Sequence, residues 1–300
     1  AAGTAQSFIV SLGAGNDTLT GNGLNTAFWA DPSDIINASA REIANGGVHK
    51  VASFYQPFTN NPASTAYVPT SLNGQNLADP TDSGPEVRLT NQSLWGTGPT
   101  MTDINQGSVG DCYYLASLQS IAYATPGRLQ QMAVDLGDGT YAVAFQRSGV
   151  TNYLRVDADM AAGPWNGGLD YAHPNGNGPI WASVMEKAYA FYRSGANTYS
   201  SLNSGWTGTV DSDLGIANTT FTTYGNGSSL FNTFASALTS GKAISVITNM
   251  SITGGASLIG SHAYSILAAY IDGNGTQWLT LRNPWGFDGI GNDGHPSDGL

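Results

Sequence analysis

The chain has a single cysteine, Cys112, at the start of a stretch that reads as a helix. From Asp111 to Ala124, residues Leu115, Leu118, Ile121 and Ala122 fall on one face, Asp111 can cap the start, and Pro126-Gly127 stops it. Backbone N–H groups and the positive end of the dipole gather at such a place. They favour a thiolate and so lower the thiol pKa. The neighbouring glycines, Gly107 and Gly110, let the backbone approach a substrate closely. A lone cysteine has a second reading, as a small buried hydrophobe. Two late segments bear on the choice. Ser261-His262-Ala263-Tyr264 opens a strand, and Leu281-Arg282-Asn283-Pro284-Trp285-Gly286 closes the next one. Asp272-Gly273-Asn274-Gly275 between them is a turn signal, so the strands form a hairpin. Centring the turn between Gly273 and Asn274 sets Tyr264 opposite Asn283. His262 then lies diagonal to Asn283 on the same face, roughly 7–8 Å away at the backbone and within side-chain reach. Each residue alone has a structural reading. Together they suit nucleophilic chemistry, with a thiolate attacking a carbonyl, an imidazole that keeps it ionised and later protonates the leaving amine, and an amide that orients the imidazole.

The elements that must position these groups are of both kinds. Helical patterns are expected at 111–124, Trp181 to Arg193 and Leu230 to Thr239. Strand patterns are expected at Thr140 to Gln146, Tyr153 to Val156, Ala243 to Thr248, His262 to Ile271 and Gln277 to Arg282. Helices fall mostly first and strands mostly later, which suggests an α+β fold. A cysteine early on a helix, with histidine and asparagine late on strands, is the papain-like order.

Residues 1–78 differ from the rest. Gly13 to Gly21 carries the Gly-x-Gly-x-Asp-x-Leu spacing of calcium-binding β-roll repeats, with Asp17 as the carboxylate ligand. One copy is equally a Gly/Asn-rich turn between strands. Asn60 to Ala78 is rich in Pro, Asn, Ser and Thr and reads as a linker. The chain opens at Ala1 with no signal peptide in view, and reads as a mature form or an excised fragment.

Composition excludes several classes. Only 10% of the 300 residues are charged, with 18 Asp against 3 Glu and 7 Arg against 3 Lys, for a net charge of −11. Such a surface offers little to a phosphate backbone, which argues against nucleic-acid binding. The longest apolar run, Ile266 to Ile271, is too short to span a membrane as a helix. One cysteine allows no internal disulfide. The Asp-rich, Gly-rich, Lys-poor balance suggests a secreted or surface protein.

Four stretches then carry a resemblance. They are Thr102-Asp103-Ile104 with Gln106 to Cys112; Trp181-Ala182-Ser183-Val184-Met185-Glu186-Lys187-Ala188-Tyr189-Ala190; Gly260 to Ser265; and Leu281 to Gly286. In this order and spacing, over roughly residues 80–290, the sequence resembles the protease core of the calpain family in a bacterial form. The resemblance implies a papain-like core with a cleft between two subdomains, one helical (79–204) and one β-rich (205–300), behind an N-terminal β extension (1–78). It implies Cys112 as nucleophile, His262 as general base and acid, and Asn283 as the orienting residue. Gln106 would supply an amide to the oxyanion hole beside the Cys112 N–H, and Trp285 would cover the His–Asn hydrogen bond. It implies a protein or peptide substrate cleaved through a thioester, and calcium as a possible cofactor with Asp103 at one family ligand position.

The sequence departs from the family at several points. Val109 and Tyr113 stand where the family has Leu and Trp. Pro179 stands near the position of an expected acidic ligand before Trp181, and Asp288 does not align cleanly with another. The chain also ends at Leu300, earlier than family cores usually do, which predicts either a truncated strand subdomain or a trimmed minimal version. Two rival functions remain: an inactive binding or adhesive module, and a transglutaminase-like acyl-transfer enzyme. Neither His49, His173 nor His295 has a matched partner, and all three read as surface or structural residues.

Overall fold

The computed structural model describes residues 6–13, 15–23, 25–55, 77–89, 91–163, 168–220, 227–251 and 258–288. The strands and helices run β1 (Ser7–Ser11), β2 (Thr18–Thr20), β3 (Thr26–Ala30), β4 (Ile35–Asn37), α1 (Ala40–Ala44), β5 (Val48–Lys50), β6 (Glu86–Arg88), α2 (Cys112–Ala124), α3 (Pro126–Gln130), β7 (Ala133–Asp135), β8 (Thr140–Arg147), β9 (Val150–Asp157), β10 (Asp159–Ala161), α4 (Trp181–Tyr192), α5 (Thr207–Asp213), α6 (Gly227–Thr239), β11 (Ser245–Ile247), β12 (Ala263–Ile271) and β13 (Gln277–Arg282). Helix and sheet are mixed, as an α+β fold requires. The order is not helices first, however. A β-rich segment precedes α2, and β7 to β10 lie between α3 and α4.

Residues 6–55 wind into a coil of parallel strands. Strands β1, β3 and β5 pair side by side in parallel, and β2 pairs in parallel with β4. In register, Thr18 lies beside Ile35 and Thr20 beside Asn37, so Asp17-Thr18-Leu19-Thr20 stacks on Asp34-Ile35-Ile36-Asn37. The second turn lacks the glycines, so the sequence alone shows only one copy. Side chains of the second turn bond the first: the Gly13 N–H donates to Asp31 Oδ2 (2.8 Å) and the Asp17 N–H to Asp34 Oδ1 (2.9 Å). The Lys50 ammonium donates to the Asp31 and Pro32 carbonyls, each at 3.3 Å, and to that of Asp34.

This coil packs on the body. Trp29, Val51 and Phe54 cluster with Val134, Ala142 and Ala144 of the antiparallel sheet β7-β8-β9. His49 is buried, stacks on Trp29 at 4.2 Å, and bonds the Gln131 carbonyl through Nε2 at 2.6 Å, so it is a structural residue. The proposed linker, 60–78, falls largely on residues outside those described, but Leu77 is 1% exposed and belongs to the core.

The main core surrounds α2 and α4. The sequence suggests one apolar face on α2, yet Tyr113 to Ala122 are buried on every side. A helix packed all round needs no amphipathic stripe, and Ser117 and Ser120 fit because each donates to a helix carbonyl. Pro126 ends α2 and opens α3 as its first residue. Every residue of α4 is buried, including Glu186 and Lys187.

Lys187 donates to Asp79, to Asp157 Oδ1 (2.6 Å) and to the Asp159 carbonyl (2.6 Å), tying the chain around residue 79 to the sheet. Removing a buried cation strands its acceptors. Lys187→Met should therefore lower unfolding stability by about 3–5 kcal/mol. Urea denaturation with an unchanged midpoint would refute this role.

Candidate active site

Strand β12 is central in the antiparallel sheet β11-β12-β13 and packs against α2. Its register with β13 has an instructive origin. Ile271 pairs with Gln277 and Ala268 with Thr280, so the turn centres on Asn274, half a position from the expected centre. A bulge between Ile266 and Ala268 then shifts the pairing by one, and Ser265 meets Arg282. The two departures cancel, so that continuing the pairing one residue beyond Ser265–Arg282 would set Tyr264 opposite Asn283.

The result is a direct contact. His262 Nε2 lies 2.9 Å from Asn283 Oδ1, and both residues are buried. The same Oδ1 accepts the Trp285 N–H at 3.0 Å, and Asn283 Nδ2 donates to the Asp288 carbonyl at 3.2 Å. These partners fix which end of the amide is oxygen. Nε2 of His262 must then carry the hydrogen, which leaves Nδ1 as the basic nitrogen of the neutral ring. The Trp285 ring lies 4.7 Å from the imidazole, tilted by 49°, and Tyr264 meets it edge-on at 5.0 Å. At the start of the strand, Ser261 takes a left-handed φ of 53°. Thr248 Oγ1 accepts the His262 N–H at 3.0 Å. Sequence reasoning missed Thr248 and the carbonyl of Asp288, since no local signal marks a partner across a register.

Cys112 is the first residue of α2, with Asp111 at the cap position. The capping expectation holds in place only, because the Asp111 side chain bonds no helix N–H. Expectation and structure also part on the thiol. Burial pushes the Cys112 pKa up, and the Asp111 carboxylate adds to the rise. The N–H of Ala263, next to His262, works the other way. Burial likewise pushes the His262 pKa down, partly offset by its bond to Asn283. Both groups are therefore held toward their neutral forms.

The loop before Cys112 is tied to both sides of the site. The Gln106 N–H donates to the Pro284 carbonyl at 2.8 Å, linking it to the Asn283 segment. Gln106 Nε2 donates to the Val109 carbonyl at 2.7 Å and keeps a second N–H. At Gly107 a Cβ would fall 2.1 Å from the Asp170 carbonyl oxygen, so only glycine fits. The Gly110 N–H donates to Asn203 Oδ1 at 2.9 Å. At Gly286, φ is 81° and a Cβ would fall 2.1 Å from Asn105 Oδ1. Gln106, Gly110, Cys112, His262 and Trp285 all line one cleft of about 2330 Å³, and the well-exposed Trp206 lies on its wall.

The two proposed metal ligands lie elsewhere. Asp103 accepts the Thr100 N–H (2.7 Å), the Thr100 hydroxyl (2.8 Å) and the Trp181 indole N–H (2.8 Å). Three of its roughly four acceptor positions are thus taken by the chain. Asp17 accepts the Ser11 hydroxyl at 2.7 Å. Among the described residues, no three His, Cys, Asp or Glu side chains converge as a metal site. Among the described residues Asp103 belongs to no such group.

The chain is similar to known proteins over most of its length. The chain is 29% identical to the calpain-2 catalytic subunit of Homo sapiens over 221 residues, covering 67% of this chain and 30% of that protein. It is 27% identical to the calpain-1 catalytic subunit of Bos taurus over 215 residues, covering 67% and 30%. It therefore spans about 30% of the length of these relatives. Residues 76–299 match the family described as calpain family cysteine protease. With a family match over about three quarters of its length, the chain belongs to the calpain family of cysteine proteases.

Proposed function

We propose that the protein is an endopeptidase that hydrolyses peptide bonds with Cys112, His262 and Asn283, in a cleft between a helical and a β-rich subdomain. The observation that carries this is the 2.9 Å bond from His262 Nε2 to Asn283 Oδ1, which leaves Nδ1 free to serve the thiol. In the proposed step, His262 Nδ1 takes the thiol proton as Sγ attacks the carbonyl carbon. The oxyanion that forms faces the Cys112 N–H and the free N–H of Gln106. The C–N bond breaks, the leaving amine takes the proton from His262, and a thioester remains. Water, activated by the same nitrogen, hydrolyses it and frees the thiol. Trp285 covers the His262–Asn283 bond and keeps water from competing for it. Gly110 lines the cleft where a peptide would pass, with Asn203 Oδ1 holding its N–H. The Asp-rich, Lys-poor composition supports action outside the cell or at its surface.

Digestion of casein with and without chelator tests the reading, beside labelling by an irreversible thiol-directed peptide inhibitor. The expected results are cleaved peptides and stoichiometric labelling of Cys112. Hydrolysis should persist in chelator, because the chain itself occupies Asp103. Activity that vanished with chelator and returned with calcium would put the ion into the mechanism. Failure to label Cys112 under either condition would support an inactive binding module, and crosslinked rather than cleaved product would support an acyl-transfer enzyme.

A further inference from the structure

Behind Cys112 lies a pair of buried acids, Asp111 and Glu186. Asp111 is fully buried, and among the described residues no N–H beyond its own backbone reaches either carboxylate oxygen. Glu186, on α4, is 1% exposed. Its Oε2 accepts the Ala172 N–H at 2.9 Å, while Oε1 meets no such donor. The two carboxyl groups lie within hydrogen-bond reach of each other. Two carboxylates are both acceptors, so a bond between them needs a proton on one. Oε1 is the oxygen open to that proton, because Oε2 is already engaged as an acceptor.

Among the described residues, no cation bonds the pair. Arg193 acts on Asp111 from a distance, but its guanidinium donates to the Tyr113 hydroxyl, the Leu202 carbonyl (2.8 Å) and the Ser204 carbonyl (2.6 Å). Lys187, next to Glu186 in sequence, is held by Asp79 and Asp157. The other titratable groups facing the pair are Tyr113 and Tyr114 from α2, Asp170 and Tyr171 from the segment before α4, and Tyr199 from the turn after it. None of these is a cation.

We propose that Asp111 and Glu186 share one proton at neutral pH, held on Glu186 Oε1 and donated to the Asp111 carboxylate, and that this pair sets the charge behind the Cys112 thiol. Burial supports it, pushing Asp111 up to about 7 and Glu186 well above the usual carboxylate range. Below that pH the pair takes a second proton and is neutral. Above it, one negative charge borders the thiol and opposes the thiolate. Glu186 is thus a positioning residue acting through Asp111. Its weight in catalysis rests on the reading of Cys112 as nucleophile; the shared proton does not.

The lone cysteine makes the test clean, since iodoacetamide alkylates one site in the full chain. The rate is measured against pH for wild type, Glu186→Gln and Asp111→Asn. Glutamine copies a protonated glutamic acid, so the Glu186→Gln profile should overlay that of wild type. Asparagine removes the charge, so the Asp111→Asn profile should move toward acid by about one pH unit. If Glu186→Gln moved the profile as far as Asp111→Asn does, Glu186 would be ionised and the proposal wrong. An unmoved Asp111→Asn profile would overturn it as well. Should either variant fail to fold, infrared difference spectra of wild type across pH 5 to 8 decide, reading the carbonyl stretch of a protonated carboxylic acid. That band should persist at neutral pH, and its absence overturns the proposal. Alkylation needs no peptide substrate, so a chain that alkylates as expected but hydrolyses nothing would reject the protease reading and keep the proton.

Discussion

Cys112→Ala should reduce turnover of a peptide substrate on the order of 10⁴-fold or more, to background. The loss is expected in kcat rather than KM, because the cleft walls that bind substrate are unchanged. The thiol is the only one in the chain, so no other sulfur can replace it. Cys112→Ser should be almost as inactive. A hydroxyl is a far weaker acid than a thiol, and this site already disfavours the anion through burial and through Asp111. Both variants should fold, since the side chain is only partly buried and small. Equal casein digestion by wild type and Cys112→Ala preparations, with matched unfolding curves, would remove Cys112 from the mechanism.

The second large effect concerns the imidazole. His262→Ala should cost about 10³–10⁴-fold in kcat, since it deletes the base and the acid at once. Asn283→Ala should cost about 10²-fold, because the ring survives but loses the bond that aims it. The pH dependence separates orientation from simple destabilisation. Burial lowers the His262 pKa, so the ring stays neutral below the ordinary value of 6.5, and the acid limb of kcat/KM should lie below that pH. The Asn283 bond raises the pKa, so Asn283→Ala should move the limb further toward acid. Asn283→Asp should move it the other way, since a carboxylate stabilises the imidazolium. Profiles measured for the three proteins should therefore fall in the order Ala, Asn, Asp from low to high pH. A common limb for all three would sink the proposed His–Asn coupling.

Much of the site is legible in the sequence because it rests on local signals. A helix start, a turn between two strands and the alternation of strand side chains suffice to bring His262 beside Asn283. That agreement also has a fortunate part. The loop is centred half a position later than its glycines suggest, and a bulge at Leu267 restores the register. A bulge answers to packing against α2 rather than to turn residues, so the sequence carries no clear mark of it.

Other features are hidden for related reasons. The parallel coil of residues 6–55 depends on pairing strands 17 to 20 positions apart, and its second turn lacks the glycines that mark the first. Buried all round, α2 and α4 have no stripe to read. Lys187 and Glu186 are adjacent in sequence and look like an ordinary charged pair, yet each is claimed by a different partner from a distant segment.

The sequence by itself determined the candidate groups and their local setting: one thiol at a helix start, one histidine and one asparagine flanking a hairpin, and glycines in the loop before Cys112. Those are properties of residue type and short spacing, which the backbone reads over a few positions. Only the tertiary structure decided the electrostatics. Burial cannot be read from neighbours in sequence, and it reversed the expected shift of the Cys112 thiol, lowered His262, and left carboxylate oxygens of Asp111 and Glu186 buried without a donor among the described residues.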